Sequence, residues 1–126
     1  MLDKTVFERI EDRIEKMGEG ELDDLPVGVI TLDLNAKILR YNKLEAEMAR
    51  LDQRSQIGKD FFKDVAPCTA NPDFQGRFQE LTQKNFGVVN FDYTFKFSWG
   101  PQRVHITFIR KAGRDEIDVL VTRLGG

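Results

Sequence analysis

The chain has 126 residues, of which 40% are hydrophobic and 32% are charged, with a formal net charge of −2. This length and balance predict one soluble globular domain, and the interspersed charges exclude the basic surface that nucleic-acid binding requires. No apolar run approaches the roughly 20 residues of a membrane span, and a single cysteine excludes an internal disulfide, so we expect a cytoplasmic protein without nucleic-acid or membrane partners.

The first 25 residues predict a helical cap that precedes the main domain. Apolar residues recur there at helical spacing among charged ones, at Val6, Ile10, Ile14 and Met17. A helix this short is marginal by itself, so its apolar stripe is expected to pack against the rest of the chain. The predicted organisation is a cap over residues 1–25 and a core domain over residues 26–124.

Two strands and a helix follow the cap. The strands are predicted at residues 27–33 and 37–41, on either side of a hairpin turn. Asn42 can then cap the N-terminus of a helix that reaches Leu51. The inward-facing stripe of this helix is predicted to consist of Leu44, Met48 and Leu51.

Short helices and three further strands complete the chain. A helical turn is predicted over 61–65, a longer helix over 71–85, and strands over 88–97, 103–111 and 116–124. Aromatic residues alternate along the first of these strands and so share one face: Phe91, Tyr93, Phe95 and Phe97. This order predicts an α+β fold, a five-stranded antiparallel sheet with helices on one face and the cap on the other.

Few residues in the chain are of the types that form metal sites or catalytic groups. One cysteine, Cys68, and one histidine, His105, form no recognisable zinc site or catalytic pair, and nothing indicates an enzyme that turns over a substrate. By itself, Cys68 would be a packed structural thiol, and Glu45 would be a solvated helix residue. Tyr41 would be an aromatic residue at a strand end with its hydroxyl group in water.

Three stretches change that interpretation when they are read together. They are IGKDFFKDVAPCT at 57–69, LRYN at 39–42 followed by Glu45, and DYTF at 92–95. Their order and separations resemble those of the photoactive yellow protein family, bacterial blue-light receptors built on a PAS fold. The resemblance runs over essentially the whole chain and implies a p-coumaric acid (4-hydroxycinnamic acid) chromophore held as a covalent thioester.

The resemblance also implies roles for individual residues. Cys68 is the attachment point, and Tyr41 and Glu45 donate hydrogen bonds to the chromophore phenolate. We hypothesise from these roles that light drives trans–cis isomerisation, that Glu45 gives up its proton to the phenolate, and that the cap loosens to signal to an unidentified downstream protein. The implied pocket wall consists of Ile30, Ala49, Leu51, Phe61, Val65, Ala66, Pro67, Thr69, Phe95, Phe97, Trp99 and Val121.

Four of these wall positions depart from the usual pattern of the family. Ala49 replaces a threonine that supports the tyrosine, and Leu51 replaces an arginine that shields the pocket, although Arg50 and Arg54 lie nearby in sequence. Phe97 replaces a tyrosine. Trp99 replaces a methionine associated with thermal recovery, which predicts a changed and slower return to the dark state.

Two other functions are compatible with the same residues. A PAS domain without a chromophore would serve as a protein-interaction module. A thiol-based redox sensor would need Cys68 exposed with a lowered pKa, for which Lys59 and Lys63 are the nearby positive charges. The expected oligomeric state is a monomer or a weak dimer.

Overall fold

The computed structural model describes residues 4–125, and side chains from residue 8 onward. Its α-helices are α1 (Lys4–Arg13), α2 (Glu19–Asp23), α3 (Lys43–Ala49) and α4 (Arg77–Thr82). Its strands are β1 (Gly28–Asp33), β2 (Ile38–Tyr41), β3 (Gly87–Phe97), β4 (Gly100–Arg110) and β5 (Glu116–Arg123). Short 3-10 turns lie at Ile14–Lys16, Arg54–Gln56 and Pro67–Thr69, and π-helical turns at Phe61–Val65 and Pro72–Gly76.

The five strands form one antiparallel sheet in the order β2-β1-β5-β4-β3, which confirms the predicted α+β fold. The first strand β1 pairs with the last strand β5, so both of these strands lie inside the sheet, and β2 and β3 form its edges. Gly28 lies opposite Val121 in that pair. Since side chains alternate along a strand, residues on β1 and β5 contribute to both faces of the sheet.

Aromatic rings fill the face of the sheet that the helices cover. Phe74, which is fully buried, lies at their centre, with ring centroids 5.1–6.3 Å away. The surrounding rings belong to Phe61, Phe62, Phe91, Tyr93, Phe95 and Phe108. Most of these pairs meet edge to face, the arrangement that aromatic quadrupoles favour. The predicted aromatic face of β3 is therefore confirmed as core.

The N-terminal cap covers the opposite face, as predicted. Ile10, Ile14 and Leu22 are buried there, and they pack in one cluster with sheet residues Val27, Val29, Ile109 and Leu120. Val6, predicted as the start of this stripe, lies outside the described side chains. The predicted boundary between cap and core at residue 26 stays a prediction.

Arg40 links the cap to the sheet through four hydrogen bonds. Its guanidinium group donates to the main-chain oxygens of Ile14 and Met17, at 3.1 and 2.8 Å. It also donates to the Thr31 hydroxyl group at 2.8 Å and to the buried Asp118 carboxylate at 3.1 Å. This polar cluster fixes the end of the cap helix over β1 and β5.

Helix α3 corrects the predicted inward stripe. Leu51 lies beyond the helix and is 38% exposed, and Leu44 is only half-buried, so Met48 alone of the three is buried. The helix ends at Ala49 because Arg50 adopts a left-handed conformation, with φ 55° and ψ 44°. The residues that α3 buries are Glu45, Ala46 and Met48.

The helix predicted at 71–85 is shorter and irregular. Asn71 caps it as expected, through hydrogen bonds from the main-chain nitrogens of Asp73 and Phe74. The first turn is π-helical, and the regular helix α4 ends at Thr82. Within residues 4–125, no helix is long and apolar enough to cross a membrane.

Candidate functional site

A cavity of about 220 Å³ lies between α3, the segment around Cys68 and the end of β3. It brings together residues that are up to 58 positions apart in the chain. The predicted residues that line it are Tyr41, Glu45, Ala49, Leu51, Phe61, Val65, Ala66, Pro67, Cys68, Phe95, Phe97 and Trp99. Most of this wall is apolar, so a ligand inside would contact mainly hydrophobic side chains.

Three predicted wall residues do not line the cavity. Ile30 and Val121 are buried in the hydrophobic core under the helices, because their neighbours in β1 and β5 pack them against other core side chains. Thr69 is fully buried, and its hydroxyl group donates to the Ala66 carbonyl at 2.7 Å. Their contact with a bound chromophore stays a prediction.

Cys68 sits on a 3-10 turn that side chains hold in place. Its carbonyl oxygen accepts hydrogen bonds from the Tyr93 hydroxyl group at 2.7 Å and from Asn71 Nδ2 at 3.0 Å. Asn71 also donates to the Tyr93 oxygen at 2.6 Å, which joins the turn to β3. The thiol is free and half-buried at the cavity wall, rather than enclosed in the core.

Glu45 is a buried acid in the first turn of α3, and is 3% exposed. Burial raises the pKa of its carboxyl group to about 8, while the positive charge of Arg123 partly opposes this rise. The carboxyl group is therefore predominantly protonated at pH 7. Its Oε2 atom has no hydrogen-bond partner among the described residues. A solvated Glu45, the alternative from sequence, is wrong.

Tyr41 ends β2 beside Glu45 and is 5% exposed, so its ring is not in water. Burial raises the pKa of its phenol group well above the ordinary value, and the negative charge of an ionised Glu45 raises it further. Tyr41 thus keeps its proton throughout the physiological range. Tyr41 and Glu45 are the two buried side chains of the cavity wall that can donate hydrogen bonds, whereas Lys96, Ser98 and Trp99 are exposed.

Three stacked side chains form the rim of the cavity near β3. The Trp99 ring lies parallel to Phe97, with centroids 4.6 Å apart and an interplanar angle of 6°. The Arg50 guanidinium carbon lies 4.1 Å from the centre of the Trp99 ring, within the range of a cation–π interaction. Arg54 lies away from this rim, in a groove beside Glu19 and Asp23. Arg50 is therefore the arginine that reaches the rim.

Several residues of this site were not predicted. Lys96 and Ser98 line the cavity beside Phe97, and strand alternation had placed Lys96 on the opposite face. The effect of Arg123 on Glu45 joins residues 78 positions apart and leaves no local signal. The sequence did contain one local signal of close packing at this site. Gly28 lies inside a strand pattern, and a glycine in such a position often marks the close approach of another group.

Comparison with known proteins identifies the family. A model of the PAS fold matches residues 16–125. The photoactive yellow protein of Halochromatium salexigens is 36% identical over 115 residues, which cover 91% of this chain and 92% of that relative. The chain belongs to the photoactive yellow protein family. The resemblance drawn from the three sequence stretches is thereby confirmed.

Other photoactive yellow proteins agree with this assignment. The one from Rhodobacter capsulatus is 33% identical over 95 residues, which cover 75% of this chain and 77% of that relative. Among solved structures, the photoactive yellow protein domain of the sensor histidine kinase Ppr from Rhodospirillum centenum is 38% identical, with a TM-score of 0.82. The match covers 89% of this chain and 98% of that domain. Family membership supports a photoreceptor of the photoactive yellow protein type.

Proposed function

We propose that this chain is a blue-light photoreceptor that holds p-coumaric acid as a thioester on Cys68. Tyr41 and Glu45 then donate hydrogen bonds to the chromophore phenolate. One observation carries the proposal: a buried carboxyl group with an unpartnered oxygen lines the same cavity as the chain's single cysteine.

The cavity suits a small group that contains one ring. Its volume of about 220 Å³ lies below the roughly 300–1,000 Å³ that is typical of pockets for drug-sized ligands. Phe61, Phe95 and Phe97 supply flat apolar walls. Cys68 lies at the wall and not in the packed interior, so its sulfur can reach a ligand in the cavity.

The two donors are needed because burial opposes an ionised phenol. A free phenol resembles tyrosine, with a pKa of about 10, so a phenolate at neutral pH requires a decrease of at least about 3, equivalent to about 4 kcal/mol. Desolvation works in the opposite direction. Hydrogen bonds to a charged group contribute roughly 1.5–3 kcal/mol each, so two good donors are about the minimum. Tyr41 and Glu45 meet that requirement.

When bound, the chromophore supplies absorption of visible light and trans–cis isomerisation. In the dark, Glu45 holds a proton on its carboxyl group. We infer that, with the chromophore bound, Glu45 would give this proton to the phenolate oxygen after light absorption, which would leave a carboxylate in a site built for the neutral acid. An unpaired buried charge costs several kcal/mol, comparable to the ~5–15 kcal/mol that stabilises a small domain.

The cap is the part of the fold that we expect to respond. Asn42, which caps α3 beside Glu45, also donates to the Leu22 carbonyl at 2.8 Å. A charge on Glu45 therefore arises next to a hydrogen bond that holds α2 in place. Regions with the smallest local stability open first, and a cap held by one apolar cluster and a few polar bonds is such a region.

Reconstitution tests the proposal. The purified chain is incubated with activated p-coumaric acid, and its mass and visible absorption are measured before and after. We expect a yellow product whose mass increases by one coumaroyl group, and neither change in Cys68→Ala. A chain that folds but stays colourless would favour the interaction module without a chromophore. Selective oxidation of Cys68 without loading would favour the redox sensor.

The remaining parts of the function are also proposals. We propose that the chain signals to a separate protein from the cytoplasm, as a monomer or a weak dimer, and catalyses no turnover. Within residues 4–125, no three metal-ligating side chains come together. Size-exclusion chromatography of the loaded chain in darkness and under blue light would test the oligomeric state.

A further inference from the structure

Gly28 leaves a space in β1 that the Glu45 carboxyl group occupies. A methyl group built on Gly28 would overlap Glu45 Oε2, and it would lie 3.2 Å from Cδ and 3.3 Å from Cβ. The φ angle of Gly28 is outside the left-handed region, so its backbone conformation does not require glycine. Glycine weakens a strand interior, and here the close approach of Glu45 accounts for it.

Asn42 fixes that approach. Its Oδ1 atom accepts hydrogen bonds from the Val29 nitrogen at 2.8 Å and from the Glu45 nitrogen at 3.1 Å. One side-chain oxygen therefore clamps the first turn of α3 to β1, one residue from Gly28. Because Gly28 also pairs with Val121 inside the sheet, the strand cannot move away from the helix without breaking the ladder.

The space at Gly28 also places Glu45 in a defined electrostatic setting. The ionisable groups whose charges act on each other there are Glu45, Tyr41 and Arg123. Arg123 follows Val121 by two residues on β5, the strand that pairs with Gly28. A side chain on Gly28 would displace the carboxyl group from this space and so change its burial and its distance from Arg123.

We propose that Gly28 is a positioning residue for Glu45: its missing side chain forms a niche that holds the carboxyl group at the cavity wall. The niche exists whether or not a chromophore binds. Its significance for proton release rests on the function proposed above. Gly28 does not line the cavity, and it acts only through the position of Glu45.

The carboxyl group of Glu45 reports on the niche in the chain without chromophore. Its pKa is measured by ¹³C NMR of labelled glutamate carboxyl groups during a pH titration, and Glu45→Gln assigns the signal. We expect Gly28→Ala to lower this pKa by at least about 1, a tenfold shift in the protonation equilibrium. Gly76→Ala is the matched control, since its nearest neighbouring atom would lie 3.8 Å away. A folded Gly28→Ala with an unchanged Glu45 pKa would overturn the proposal.

A double-mutant cycle keeps the test decisive if Gly28→Ala unfolds. In the Glu45→Ala background, the overlapping carboxyl atoms are absent. The factor by which Gly28→Ala lowers the folded-to-unfolded ratio should therefore be at least ten times smaller there than in the wild type. Glu47 is the exposed acid of the same helix. In the Glu47→Ala background, Gly28→Ala should therefore reduce the folded-to-unfolded ratio as much as it does in the wild type. Equal costs in all backgrounds would contradict the niche. If the cycle shows coupling between Gly28 and Glu45 but the chain does not bind p-coumaric acid, the niche stands and only the proposed photoreceptor function is overturned.

Discussion

The two sides of the short segment 40–45 differ in how completely their polar groups are bonded. Towards the cap, Arg40 makes four hydrogen bonds, and Asn42 makes hydrogen bonds through both its oxygen and its nitrogen. Towards the cavity, Glu45 Oε2 has no partner in the described part of the chain. The cap side is held by many hydrogen bonds, whereas the cavity side contains a buried carboxyl oxygen that forms none within the described residues.

Asn42 connects the two sides. The oxygen of its side chain binds the Glu45 nitrogen, and its nitrogen binds the carbonyls of Leu22 and Val27. Only the Asn42 side chain therefore separates a change of charge at Glu45 from the hydrogen bonds that hold α2. This connection gives the proton transfer that we propose at Glu45 a short route to the cap.

Breaking the cap side at Arg40 should have the largest effect. Arg40→Met leaves the buried Asp118 carboxylate without its positive partner, and we expect a loss of about 3 kcal/mol in the free energy of unfolding. Urea denaturation of the chain without chromophore measures this loss. The double variant Arg40→Met/Asp118→Leu should regain most of it, because no unpaired charge is then buried. A loss below about 1 kcal/mol would show that the cluster contributes little.

Removal of the Asn42 side chain should cost somewhat less. Asn42→Ala deletes an N-cap, leaves the Val29 nitrogen without its side-chain partner and removes one hydrogen bond each from the Leu22 and Val27 carbonyls, for an expected loss of about 2 kcal/mol. Limited proteolysis should cut the cap faster at Arg9 and Arg13. Asn35→Ala, in an exposed turn, is the control and should change neither measurement. An uncut cap in Asn42→Ala would separate this residue from cap docking.

On the cavity side, the contribution of Glu45 to the free energy of unfolding should depend on pH. Because the pKa of Glu45 rises from 4.5 to about 8 on folding, its neutral form stabilises the fold fully below about pH 4.5, and this stability is lost as the pH rises to about 8. The expected slope is at most about 1.4 kcal/mol per pH unit. Comparison of urea denaturation in the wild type and Glu45→Gln isolates this slope, and identical pH profiles would refute a buried acid.

The rim should give the smallest effect. Trp99→Met removes both the stack on Phe97 and the contact with Arg50, and we expect thermal recovery of the loaded chain to accelerate. Arg50→Gln keeps the stack and removes only the cation–π contact, worth about 0.5–1 kcal/mol at an exposed site, or a two- to fivefold change in rate. Recovery is followed by visible absorption after a flash. Unchanged recovery in both variants would exclude the rim from control of the rate.

Much of the fold followed from local patterns, whereas the site required a different kind of information. The aromatic alternation along β3 and the cap stripe from Ile10 to Ile14 are periodic signals, and both predicted burial correctly. Leu51 was wrong because the left-handed Arg50 ends α3 before the periodicity does. Glu45 is a buried acid that hydropathy would place in solvent, so only the family resemblance pointed to it.

Contacts between distant segments account for the rest. The stack of Arg50 on Trp99 joins residues 49 positions apart, and no local pattern records it. Ile30, Thr69 and Val121 were assigned to the wall by resemblance; all three are buried, and none of them lines the cavity. Sequence patterns therefore predicted which elements form, and the structure was needed to show which side chains share a cavity.

Proton loss from Glu45 is the central claim, and infrared difference spectroscopy of the loaded chain tests it most directly. Spectra recorded under blue light and in darkness should show the loss of a protonated carboxyl band and the gain of a carboxylate band. Glu45→Gln, which still donates a hydrogen bond but has no acid proton, should lose both signals and leave the cap protected from proteolysis. A full structural transition in Glu45→Gln, or an unchanged carboxyl band in the wild type, would contradict the mechanism.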